Sequence, residues 1–141
     1  MSKLNTDDVT VKTITANGSI GTAGQFLTAN GTGSYWSTQS FFAVNQTWQD
    51  VKASRNVNTD YTNNTQAPIM VSVTANNSAV GALGAITATV GGVVVGIATT
   101  GDDEGAQAVV AYGTLTFVVP VSATYSIANT ASLIQYWAEL R

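Results

Sequence analysis

The chain has 141 residues, no cysteine and no histidine, with Lys plus Arg 5 and Asp plus Glu 8, so 9% of it is charged where an ordinary soluble domain carries about 25%. That length suits one core-forming domain needing neither disulfide nor metal, and the missing residue types remove thiolate nucleophiles, Cys-ligated clusters and imidazole bases. A hydrophobic fraction of 45% with a net charge of −3 excludes the disordered class, and the scattered Lys3, Lys12, Lys52, Arg55 and Arg141 form no cluster for a phosphate backbone, so no nucleic acid is expected.

Met1 to Thr10 shows neither the basic nor the apolar segment of a signal peptide, and no apolar run reaches the ~18 residues of a membrane span. Neither a Sec signal nor membrane insertion is expected. The first strand is predicted over Val9 to Thr15. Thr15-Ala16-Asn17-Gly18-Ser19 then returns thirteen residues later as Thr28-Ala29-Asn30-Gly31-Thr32, which is too short a period for a solenoid and reads as two Asn-Gly turns flanking a short strand, Gln25 to Ala29. Phe26, Leu27, Tyr35 and Trp36 are the large apolar residues here, too few for a core. Residues 1–44 are therefore expected to be an extended arm ordered by neighbours, and residues 45–141 the folded domain.

Within that domain, period-two alternation predicts strands at Gln46 to Lys52, Pro68 to Asn76, Ile86 to Val90, Val93 to Ala98, Gln107 to Tyr112, Thr114 to Pro120, Thr124 to Ala128 and from Leu133 to the chain end. Ile69, Val71, Val73 and Ala75 share one face of the second, and Leu115, Phe117 and Val119 one face of the sixth. In the last strand the expected apolar stripe is Ile134, Tyr136, Ala138 and Leu140. Turns are expected at Asn76-Asn77-Ser78, Gly91-Gly92 and Gly101-Asp102. No segment suits a crossover helix, so the fold class is all-β, an antiparallel β-sandwich of jelly-roll type. Val93 to Ala98 is apolar on both strand faces, which predicts cover from outside its own sheet and makes oligomerisation the default.

Chemistry-bearing patterns are few. Asp102-Asp103-Glu104 lacks the alternating ligand spacing of a calcium loop and reads as a solvated tip. The serines have no histidine partner, and the glycines match no phosphate-cradling pattern. No cofactor, metal or catalytic residue is expected. Trp48, Tyr61, Trp137 and Tyr35 read first as packing residues. Arg55 and Arg141, the only arginines, are expected to pair with Glu139 or Asp50 and lock the last strand.

Gln46-Thr47-Trp48-Gln49-Asp50-Val51, Ser54-Arg55, Tyr61-Thr62-Asn63, Pro68-Ile69 and Val71-Ser72-Val73, together with Phe117-Val118-Val119-Pro120, Tyr125 and the closing Trp137-Ala138-Glu139-Leu140-Arg141, resemble the C-terminal head module of bacteriophage tail-fibre and related virion-fibre proteins. The resemblance spans about residues 45 to 141. Ala23 to Ser37 is similar to a short linker segment of phage structural proteins. What the resemblance implies is a non-enzymatic homotrimer of β-sandwich heads, made in the host cytoplasm and displayed on the virion surface. Family fibres carry a long anchor and shaft where this chain has some 40 residues, so a short fibre or spike for host attachment is expected. The alternative is a capsid decoration protein docked by its arm. On this reading Trp48, Arg55, Trp137, Glu139 and Arg141 are the architecture of the head and the trimer seam. Tyr61, Asn76, Asn77, Asp102, Asp103 and Glu104 are receptor or partner contacts, with a host cell-surface glycan as the candidate receptor. Phe26, Leu27, Tyr35 and Trp36 dock on other virion proteins of the capsid or tail.

Overall fold

The computed structural model describes residues 14–23, 25–29, 31–38, 42–77, 79, 82–101 and 110–141. The chain divides into two compact units, Met1–Gln39 and Ser40–Arg141. The sequence-predicted strand at Val9 to Thr15 falls mostly outside the described residues, and Ile14 and Thr15 are not in a strand.

In the N-terminal unit, Ala16 and Ser19 exchange backbone hydrogen bonds of 2.8 and 3.0 Å across Asn17-Gly18, both at positive φ, as a two-residue hairpin turn requires. Strands β1 (Gln25–Ala29) and β2 (Ser34–Thr38) pair antiparallel with Leu27 opposite Trp36. Sequence reading did not anticipate β2. The Trp36 indole donates to the Ser19 carbonyl at 2.9 Å and lies so close to Gly21 that a Cβ there would meet the ring at 2.5 to 2.9 Å.

The C-terminal unit is built from β3 (Trp48–Asp50), β4 (Tyr61–Thr62), β5 (Ile69–Asn77), β6 (Gly84–Val90), β7 (Val93–Thr100), β8 (Tyr112–Val119), β9 (Thr124–Thr130) and β10 (Ser132–Leu140). One sheet runs β3-β10-β5-β8 and the other β4-β9-β6-β7, with neighbouring strands antiparallel. The two sheets pack face to face. Numbered within the unit, the orders are 1-8-3-6 and 2-7-4-5, which is the eight-stranded jelly roll. The expected fold class is therefore the observed one.

Strict alternation explains the central strand: Ile69, Val71, Val73 and Ala75 are buried, and Met70, Ser72, Thr74 and Asn76 face out. They meet Ile86 and Ala88 of β6, Phe117 and Val119 of β8, Tyr125 and Ile127 of β9, Trp137 of β10 and Val51 in one core. Gly91 and Gly92, at φ 57° and 81°, make the two-residue turn joining β6 to β7, where left-handed backbone is required at both positions.

Several expectations shift. The Gln46 to Lys52 strand is shortened to Trp48–Asp50, because a 3-10 turn at Lys52–Ser54 follows it. Of Gln107 to Tyr112, residues 107–109 lie outside the described residues and Tyr112 opens β8. Asn76 and Asn77 belong to β5 and are not a turn. The largest correction concerns β10. Its register against β5 shifts between Ile134 and Tyr136, so Gln135 is a bulge residue and the inward phase changes there. Trp137 and Glu139 are buried, while Tyr136, Ala138 and Leu140 face out.

Gly84 holds the end of the sandwich tight. Its missing side chain leaves room for the buried hydroxyl pair Thr100 Oγ1 and Ser132 Oγ, 2.7 Å apart. A Cβ would lie 2.5 Å from Thr100 Oγ1, 2.6 Å from the Ala131 carbonyl and against Ser132 Oγ. Gly84→Ala is therefore expected to destabilise the fold by about 1–3 kcal/mol through overpacking. Urea unfolding of the two proteins checks this, and equal midpoints would refute it.

Candidate functional site

The bulge in β10 delivers Glu139 to the interior, where it has 0% exposure. The 3-10 turn at Lys52–Ser54 leads into Arg55, whose extended backbone carries the guanidinium to the same place. Arg55 grips the carboxylate with a two-pronged fork: Nε to Oε1 at 2.7 Å and Nη2 to Oε2 at 3.1 Å. Tyr125 from the opposite sheet donates its hydroxyl to Oε1, and Arg141 Nη1 lies 3.2 Å from Oε2. Three hydrogen-bond donors and a second arginine charge thus meet one carboxylate, which commits most of its lone-pair capacity to its own chain.

An aromatic shell surrounds this clasp. The Arg55 guanidinium sits 4.5 Å above the Tyr61 ring, a favourable cation–π placement. Tyr61 meets Trp137 edge-on at 6.2 Å and Tyr125 at 5.8 Å, and Phe117 meets Tyr125 at 6.0 Å. The Tyr61 hydroxyl accepts the Asn56 N–H at 2.7 Å. Burial works against the charged Arg55, but its hydrogen bonds to Glu139 and Tyr125 outweigh this and raise its pKa. Burial also raises the Tyr125 pKa well above 10, the bond to Glu139 adds to that, and Arg55 opposes it.

The structure gathers Arg55, Glu139 and Arg141 into one network, with both arginines choosing Glu139 over Asp50. Asp50 instead accepts the Lys52 N–H at 3.0 Å. Trp137 and Glu139 are enclosed by their own chain and belong to the interior of the C-terminal unit, with no surface to give to a seam. Trp48, at 52% exposure, does present a surface.

Of the expected partner contacts, Tyr61 is engaged in the clasp and Asn76 faces outward on β5. Asn77 is a correction, since it is buried and ties two loops together, donating to the Ala79 carbonyl at 2.9 Å and accepting the Ala111 N–H at 3.3 Å. It is thus closed to an external partner. Asp102, Asp103 and Glu104 lie outside the described residues. In the N-terminal unit Phe26, Leu27 and Tyr35 are exposed and Trp36 is half-buried.

A second surface escaped sequence reading because its register depends on the bulge. Side chains directly opposite one another share a face, so the outer side of the β3-β10-β5-β8 sheet carries four rows. They are Tyr112, Asn76 and Leu133; Thr114, Thr74 and Tyr136; Thr116, Ser72, Ala138 and Asp50; and Val118, Met70, Leu140 and Trp48. The outer side of the other sheet is threonine, serine and alanine with Val94 and Ile97. On both outer faces Asp50 alone carries a charge. Val93, Val94, Val95 and Ile97 of the edge strand β7 are between 48% and 65% exposed, so the described residues leave them uncovered.

Among the described residues no group of three or more acidic side chains is placed to hold a metal. No protein family, curated protein or solved structure matches the chain.

Two outcomes follow for the clasp. Arg55→Met, which leaves a buried carboxylate with reduced compensation, is expected to cost about 3–5 kcal/mol in equilibrium denaturation. Loss below 1 kcal/mol would show that Arg141 alone suffices. The raised Tyr125 pKa sets a sign as well: the unfolded chain loses this proton near pH 10 and the folded chain keeps it. Stability should therefore be intact below about pH 10 and fall above it by up to about 1.4 kcal/mol per pH unit from this group. Tyr125→Phe should remove that share of the decline, and identical pH profiles for the two proteins would refute it.

Proposed function

We propose that this chain is a non-enzymatic virion surface protein, a short trimeric fibre or spike whose jelly-roll unit is displayed for attachment to a host surface. The observation that carries this reading is the outer surface of the C-terminal unit. Trp48 and Val118 stand exposed at the two ends of a row across one sheet whose middle, Met70 and Leu140, is half-buried, and Val93, Val94, Val95 and Ile97 stand exposed along an edge strand of the other, on faces that carry a single charge. Contiguous exposed apolar surface of this kind marks a place of association. Arg55, Glu139 and Tyr125, the strongest concentration of polar chemistry, are committed to one another. The resemblance of residues 45 to 141 to virion-fibre heads points the same way.

Phe26, Leu27 and Tyr35 on the β1–β2 hairpin are exposed, and in this reading they dock the chain on the virion. The same hairpin supports the second reading, in which the chain decorates the capsid and the head has no receptor. Light scattering on the full chain separates association from its absence: a mass of about 44 kDa, three times 14.6 kDa, is expected, and a monomer would overturn the fibre-head reading. Incubation of the full chain with bacterial cells and with undecorated capsids then divides the two roles. Adhesion to cells supports attachment, and binding to capsids alone supports decoration.

A further inference from the structure

We propose that the outer face of the β3-β10-β5-β8 sheet carries a binding site for a neutral glycan, with Asn76 and Thr74 as its floor and Tyr112 and Tyr136 as its walls. This rests on the attachment reading above and adds the neutral charge of the glycan and the place on the fold.

The walls come from register. Tyr112 of β8 lies opposite Asn76, and Tyr136 of β10 lies opposite Thr74, so two strands carry tyrosines on either side of β5. Those flanking strands are about 10 Å apart, a gap of the order of one sugar ring. Tyr112, at the start of β8, is 62% exposed, and Tyr136, in the middle of β10, is 69% exposed, which is unusual for a large ring at a mid-strand position. A flat apolar ring with a polar edge suits the C–H face of a sugar.

The floor supplies both donors and acceptors. Thr74 and Thr114 share one hydrogen bond of 2.9 Å between their hydroxyls, which leaves one O–H free to donate. Gln135 Nε2 donates to Asn76 Oδ1 at 2.9 Å. That bond fixes both amides and leaves the Asn76 NH₂ and the Gln135 carbonyl turned to other partners. Sugar hydroxyls both donate and accept, and paired amides match them. The β10 bulge makes this possible: the register skips Gln135, whose amide reaches Asn76 on the face that Tyr136 shares. Bulges commonly re-aim side chains next to functional sites.

Charge decides the class of ligand. The two rows that build the site contain no acidic or basic residue, so an anionic polymer would find no counter-charge. A second copy of the chain fits this patch less well. Copies associate through desolvated apolar cores, and the apolar row Val118, Met70, Leu140 and Trp48 lies at the far end of the sheet, beyond the Thr116, Ser72 and Ala138 row.

The test uses the full chain and the variants Tyr112→Thr and Tyr136→Thr, which keep strand propensity, with immobilised mannan, galactan and dextran as neutral probes and polygalacturonate as the anionic control. The wild-type chain is expected to be retained on at least one neutral polymer and not on the control, with retention unchanged between roughly 0.05 and 0.5 M salt. Each substitution should weaken that retention about tenfold while mass and melting temperature stay constant. Failure on every neutral polymer, or equal retention by the variants, overturns the site. A change of oligomeric mass in the variants also overturns it, because the face would then be an interface between copies. Adhesion to bacterial cells that survives both substitutions removes this site and keeps the attachment reading. Tyrosine-dependent retention on a polymer without adhesion to any cell keeps the site and removes that reading.

Discussion

Glu139 is a carboxylate without exposed surface, set between two β-sheets, and the C-terminal unit depends on how completely that charge is met. A buried ion unmet by partners costs several kcal/mol. Here its partners come from three directions: Arg55 after the 3-10 turn, Tyr125 on the opposite sheet and Arg141 beyond the end of β10. The clasp therefore joins the first strand region of the unit to its last, and one sheet to the other. Backbone bonds between Thr47 and Arg141, 3.1 Å in both directions, and from Val51 to Trp137 at 2.9 Å run alongside it. Non-local closure of this kind pins a register that a jelly roll, with its long-range pairings, must otherwise find from apolar contacts alone.

Much of this was legible in the sequence. The β5 and β8 alternations are clean: β5 buries the residues its pattern predicts, and β8 buries Phe117 and Val119 with Leu115 half-buried on the same face. The failure at β10 has one physical cause. A period-two reading cannot see a bulge, and after Gln135 every side chain exchanges faces. The stripe of Ile134, Tyr136, Ala138 and Leu140 looked like a core face, yet the chain buries Trp137 and a charged residue in its place. The pairing of Arg55 and Arg141 with Glu139 was readable from scarcity, since few charges exist to pair. Tyr125 as the third partner was not, because its position depends on how the two sheets face each other.

Asn77 was missed for a related reason. An Asn-Asn pair reads as a turn because both residues tolerate left-handed backbone. Here β5 continues through it, and the buried Asn77 spends its amide on the loops around Ala79 and Ala111. Asn63 is used in the same manner. It is buried, and its amide donates to the carbonyls of Ala67, Val119 and Pro120 while Thr65 donates to its oxygen. Side-chain amides thus close loops at different parts of this sandwich, where more highly charged domains would use water-exposed polar turns.

Charge scarcity reaches the edges as well. Between Tyr61 and Ala138 the only charged residues are Asp102, Asp103 and Glu104, so β4 through β9 carry none. Sandwiches commonly guard their edge strands with lysines, prolines, bulges or brevity. β3 and β4 are guarded by brevity, at three and two residues. β7 has eight residues, no charge, no proline and a single irregularity opposite the Ala88 and Thr89 step. With Val93, Val94, Val95 and Ile97 facing water, it is the element with most to gain from a neighbouring copy, and that imbalance between the two edges of one sheet favours the associating form proposed above over an isolated monomer.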